Sequence, residues 1–282
     1  MEQLLSFVIF IFIFLLAYSF DHKMSEADLF AACKSGDLSR VKDLLALGTL
    51  NINWQNTAEK DKTPLHTACM GNQLAIVEEL LKSSKLDPNI KDANKAAPAD
   101  MSFNANKRAI LKCLLQDPRV AVSDLFRACA LNQPDKVKEL LSNPELNVNE
   151  TAGKGRTALH AACSTQSLEA LQVLLLDQRV EVNNSSDQIP TALYIACSEG
   201  FTDVVQCLLK DPRVDVNKTE EMGESPLYTA SSNGFIDIVR LLGEDHRTEI
   251  ELAAVDGVTP LEIAFVRSNN EIVQYIKKAR KY

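Results

Sequence analysis

Aliphatic residues return along this chain at fixed offsets. Taking Ala27, Thr63, Ala97, Ser123, Thr157, Thr191, Ser225 and Thr259 as position zero of successive units, position fourteen reads Val41, Val77, Leu111, Val137, Leu171, Val205, Val239 and Val273. Position seventeen reads Leu44, Leu80, Leu114, Leu140, Leu174, Leu208, Leu242 and Ile276. Position five is small throughout: Ala32, Ala68, Ser102, Ala128, Ala162, Ala196, Ala230 and Ala264. Apolar residues three apart share one helix face, and a small residue lets a second helix approach closely. The eight units therefore predict pairs of short helices, each unable to bury its apolar face alone and stacked on its neighbours.

Each unit carries its own stops. Thr or Ser at position zero can cap a helix, and Pro64, Pro98, Pro226 and Pro260 stand where a first-turn proline loses no hydrogen bond. Position nine holds Gly36, Asn72, Asn106, Asn132, Gly200 and Gly234, residues that tolerate the left-handed conformation ending a helix; Gln166 and Ser268 are the exceptions. Between units the chain alternates as in Val214-Asp215-Val216-Asn217 and turns at Gly155, Gly223 and Gly257.

Thr63-Pro64-Leu65-His66-Thr67-Ala68 and Thr157-Ala158-Leu159-His160-Ala161-Ala162 open two of these units, and from Thr157 onward the step is 34 residues. Over residues 25–282 the chain resembles the ankyrin-repeat family, whose unit is a β-turn and two antiparallel helices. The resemblance implies an all-α repeat solenoid, an ankyrin-type stack of helix-turn-helix units with β-turn or hairpin loops. It also implies a non-enzymatic scaffold or adaptor that binds partner proteins through turn tips and the concave face of its first helices.

Unit three departs from the pattern. Ala97-Pro98-Ala99-Asp100-Met101-Ser102 lacks the motif's Leu and His, and Val122 runs straight into Ser123, leaving a spacing of 26 residues. We expect a looser third unit without its projecting finger, a gap or kink near residue 122, and sub-arrays at 24–122 and 123–282.

A formal charge of −8 without a basic stripe argues against nucleic acid. Lys277, Lys278, Arg280 and Lys281 suit the end of a terminal helix. Cys33, Cys69, Cys129, Cys163 and Cys197 all occupy position six, and Cys113 and Cys207 position sixteen, so they read as packed free thiols suited to a reducing cytosol. His66 with Cys69 and His160 with Cys163 recur as the repeat's own helix rather than as metal ligands. No phosphate loop, nucleophile elbow or two-His metal motif occurs. The expectation is a monomer without catalytic residues, cofactor or small-molecule substrate. Enzyme-associated ankyrin arrays leave a second reading, a regulatory or targeting fragment of an enzyme.

The apolar run from Leu4 to Tyr18 complicates location. A secretory signal, a membrane anchor leaving the repeats in the cytosol, and a start truly at Met24 all fit it, so a cytoplasmic scaffold and a membrane-tethered one both stand. Asn149, Asn183 and Asn217 lie in sequons and follow Val148, Val182 and Val216; they read as turn asparagines with local hydrogen bonds. For partner contact the turn tips nominate Trp54, the single tryptophan, with Gln55, Glu59 and Asp61, and further along Lys154, Asp187, Glu220 and Glu221.

Overall fold

The computed structural model describes residues 24–103, 107–186 and 188–279; the apolar segment 1–23, Asn106, Asp187, Arg280 and Lys281 lie outside them. Among the described residues are fifteen α-helices and no strand, the chain pairing β-fashion only at isolated bridges such as Asn56 with Lys62 and Ala152 with Arg156. The helices come in pairs: α1 (Glu26–Ser35) with α2 (Leu38–Ala46), and α3 (Pro64–Met70) with α4 (Leu74–Leu81). After α5 (Arg108–Gln116) follow α6 (Asp124–Ala130) with α7 (Pro134–Leu141), and α8 (Ala158–Thr165) with α9 (Leu168–Leu175). The stack ends in α10 (Ala192–Glu199) with α11 (Thr202–Leu209), α12 (Pro226–Asn233) with α13 (Ile236–Glu244), and α14 (Pro260–Val266) with α15 (Asn270–Ala279). First helices pack on first helices and second on second, giving two rows that share a core.

The register holds in detail. Every residue at positions five and fourteen is buried, and at seventeen only Leu140 is less than fully covered. Thr63, Ser123, Thr191, Ser225 and Thr259 each accept a backbone N–H three residues on, satisfying a donor the helix start leaves free. The first unit differs, because Ser25 rather than Ala27 caps α1, which begins two residues earlier than the offsets imply. At position nine all seven described residues have positive φ, including Gln166 at 53° and Ser268 at 61°. The tight turn between paired helices sets that conformation, whichever side chain sits there. The alternation around Val214 and Val216 forms no strand: both valines are buried pegs beneath a turn.

Two devices, each bonding through backbone groups, tie unit to unit. Position 26 is asparagine in five units, as Asn53, Asn89, Asn149, Asn183 and Asn217, while the seventh unit has Glu251 there. In the five fully described rungs the amide reaches forward: Asn183 donates to the Arg213 carbonyl at 2.8 Å and accepts from the Asp215 N–H at 2.8 Å. Asn53, Asn89, Asn149 and Asn217 do the same, so these asparagines bond to the next unit rather than locally. The second device is an Asp-x-Arg pair. Asp211 fixes Arg213, whose guanidinium donates back to the Leu175 carbonyl at 2.8 Å and the Asp177 carbonyl at 3.2 Å, capping α9 of the preceding unit. Arg119, Arg179 and Arg247 repeat it, each paired with the aspartate two residues before.

Unit three departs as its sequence suggests. Pro98–Ser102 forms a 3-10 turn in place of a first α-helix, since Ala99 and Asp100 stand where Leu and His would fill the core and bond forward. The short connection 117–122 keeps the latch (Arg119) and accepts the rung from Asn89, so what this connection lacks is the projecting hairpin. Row order changes here: α5, a second-row helix, packs on α6 and on α8 of the first row. Arg127 of α6 donates to the carbonyls of Leu115, Asp117 and Val120, capping α5. Buried side chains form two clusters that meet at α6, where Phe126 and Ala130 belong to the first and Leu125, Ala128 and Cys129 to the second.

Candidate functional site: the row of turn tips and its gap

In three of the first helices the side chain at position three reaches toward the following turn. The Thr63 N–H donates to His66 Nδ1 at 3.1 Å, which puts the proton on Nε2, and that group donates to the Ala96 carbonyl at 3.0 Å. His160 reaches Pro190 in the same way at 3.1 Å. Burial lowers the pKa of both rings, that of His160 to about 4, so both are neutral struts. Tyr194 extends the rule by donating to Glu224 at 2.9 Å.

Trp54 sits half-buried on the first tip, edge-on to Phe30 of α1 with ring centroids 5.9 Å apart. Gln55 uses its amide to bridge tips, donating to the carbonyls of Asp61 at 2.9 Å and Lys91 at 3.1 Å. Glu59 pairs with Lys34, whose hydrogen bond and charge hold that carboxyl below its usual range. Asp61 is half-buried in a left-handed turn with φ 56°. Glu220 accepts from the N–H groups of Met222 and Glu224 and so shapes its own hairpin, while Glu221 and Lys154 are exposed. Of the nominated residues, Trp54, Gln55, Glu59 and Asp61 share one tip, Glu220 and Glu221 another, and Lys154 a third; Asp187 lies outside the described residues. The tips are also joined directly, Ala93 N–H to Lys60 carbonyl and Val255 N–H to Met222 carbonyl.

Where the third finger is missing, a cleft of about 300 Å³ opens between the tip at 88–95 and the tip at 151–154. The residues around it include Phe103 and Val120, with fully buried Leu115 and Phe126 beneath and the two phenylalanines edge to face at 5.9 Å. Asp100 lines one wall and pairs with Arg156 at 3.1 Å, both side chains nearly buried. Arg156 also lies 4.2 Å over the Phe103 ring. A Cβ on Gly153 would stand 2.1 Å from Asp100, so this pair needs glycine at that place. Asp100 thus substitutes for the missing histidine strut, reaching past the absent finger to the next one. The sequence reading missed this pairing, because Asp100 and Arg156 are 56 residues apart and neither belongs to the repeat motif.

The cysteines are core. Cys33, Cys69, Cys129, Cys163 and Cys197 are fully buried and all seven thiols are unpaired; burial raises their pKa values, to about 12 for Cys33, Cys69 and Cys129. Among the described residues no group of three or more metal-ligating side chains occurs, and no helix is long and apolar enough to cross a membrane.

Stacked helix pairs joined by projecting turns define a repeat solenoid, a class whose exposed faces take up other proteins. The profile for ankyrin repeats in three copies matches residues 29–124, 125–220 and 193–281, and the chain belongs to the ankyrin-repeat family. It is similar to the palmitoyltransferase AKR1 of Debaryomyces hansenii, 38% identical over 74 residues, which is 25% of this chain and 9% of that protein. It is similar to the putative ankyrin repeat protein YahD of Escherichia coli, 31% identical over 140 residues, 47% of this chain and 68% of the relative. A third relative is the 26S proteasome non-ATPase regulatory subunit 10 of Dictyostelium discoideum, 30% identical over 91 residues, 32% of this chain and 38% of that subunit. The chain thus spans under a tenth of the palmitoyltransferase and under two fifths of the proteasome subunit.

Proposed function

We propose that this protein is a non-enzymatic, monomeric adaptor that binds partner proteins along its turn tips and first-helix row. The observation that carries the reading is the tip row itself. His66, His160 and Tyr194 brace the tips from within, while side chains such as Trp54, Lys154 and Glu221 face outward at least in part. A preorganised surface of this kind loses little freedom on binding. Trp54 is the anchor, with Gln55, Glu59 and Asp61 around it; Lys154, Asp187, Glu220 and Glu221 extend the contact. Seven unpaired thiols support a cytosolic setting.

Proximity labelling with the full chain and with Trp54→Ala, followed by binding of the recovered protein in purified form, tests this. Loss of the anchor should weaken binding roughly 30-fold or more, the fold-change that matches a hot-spot truncation of about 2 kcal/mol or more. Unchanged affinity would remove Trp54 from the contact.

The apolar run Leu4–Tyr18 favours a second reading, the same scaffold tethered to a membrane with its repeats in the cytosol. The full chain should then resist alkaline carbonate extraction, whereas a chain begun at Met24 should not sediment with membranes. An intact chain released by carbonate contradicts the tether.

A further inference from the structure

We infer that the cleft at the missing finger is a docking pocket for an apolar side chain of a partner segment flanked by acidic residues. This rests on the scaffold reading and assigns a partner chemistry to one place on it. Three observations meet here. First, the cleft is lined in part by apolar side chains, among them half-buried Phe103 beside fully buried Phe126, and at about 300 Å³ it lies at the small end of ligand pockets. Second, the charged residues among its described lining are Lys91, Lys95, Lys154 and Asp100. Asp100 is neutralised by Arg156, whereas the three lysines are exposed and make no ion pair among the described residues. A chain of net charge −8 therefore presents a cationic rim around an apolar hole. Third, the cleft is held open by design of the backbone: the short connection 117–122 is pinned by Asn89 and Arg119 beneath, and Gly153 admits the Asp100–Arg156 pair at the side.

Charge complementarity selects the occupant. An apolar segment bearing Lys or Arg would meet like charge on two tips, while Asp or Glu on either side of the buried residue would meet Lys91 and Lys95 on one rim and Lys154 on the other. The apolar residue supplies the buried anchor and the carboxylates set its register.

The test uses a phage-displayed library of random dodecapeptides selected on the full chain, followed by fluorescence anisotropy with synthetic copies of the enriched sequences. Enriched peptides should carry Leu, Ile, Phe or Met with Asp or Glu on both sides. Two variants of exposed residues probe the cleft: Ala121→Trp, which fills its mouth, and the combined Lys91→Glu, Lys95→Glu and Lys154→Glu. Each should keep the parent's thermal unfolding and weaken the peptide at least about tenfold. Enrichment of basic or wholly polar peptides, absence of enrichment, or affinity indifferent to both variants would overturn the proposal. Peptides lost with Trp54→Ala but not with the cleft variants would leave the scaffold and discard this pocket.

Discussion

Ser268 adopts φ 61°, a conformation that costs a non-glycine residue about 1–2 kcal/mol, and glycine recovers that at an entropic cost of about 0.5–1. Its side chain is exposed, so Ser268→Gly should raise stability by about 0.5–1 kcal/mol in chemical denaturation; a destabilised variant would mean the turn is not under strain. Gln166, at the same place, is the poorer test because it also accepts from Arg108 at 2.8 Å. The buried histidines give a pH signature. With the folded pKa of His160 lowered from 6.5 to about 4, the unfolded chain takes up the proton first as pH falls. Its stabilising effect is therefore complete above about pH 6.5 and is lost toward pH 4, a change on the order of 3 kcal/mol. His66 acts in the same direction. Denaturation midpoints at pH 7.5 and 5 should differ, and less so in His160→Gln. The aspartates paired with Arg179 and Arg247 titrate below their ordinary range, beneath that window.

Between elements, the arginine latches make the coupling local and directional. Arg213 joins the end of α9 to the turn after α11, with charge-assisted donation to two or three carbonyls at once. Removing it strands partly buried carbonyls, so Arg213→Ala should cost about 1–3 kcal/mol. Urea unfolding measures this, and a neutral result would reduce the latch to surface decoration. Arg127 makes the comparable bonds at the junction from a different element, α6. Leu140, the one position-seventeen residue left partly open, lies on α7, the helix that follows α6. Neither latch nor asparagine ladder was legible in the sequence as contact, because their partners are backbone carbonyls and N–H groups, which leave no complementary residue to read. The helix pairs were legible, because burial at positions five, fourteen and seventeen is recorded in residue type.

Across the whole molecule the stack has two buried clusters sharing α6, and a change inside one should spread mainly within it. Leu174 is fully buried in the second cluster, so Leu174→Ala should cost about 2–5 kcal/mol and speed hydrogen exchange in α8 to α11 more than in α1 to α4. Uniform acceleration would argue for one undivided cooperative unit. The missing finger was visible as a spacing of 26 residues, but its consequence was not. The cleft arises from what two distant tips do when nothing stands between them, and only the fold brings Asp100 to Arg156.

Hydrogen exchange of the full chain, free and bound to a protein recovered by proximity labelling, tests the scaffold account most directly. Binding along the tip row should slow exchange in the turns at 51–62, 88–95 and 149–156 and in the first helices beneath them, leaving α4, α9, α11 and α13 unchanged. Protection confined to those second-row helices, or absent from every turn, would contradict it.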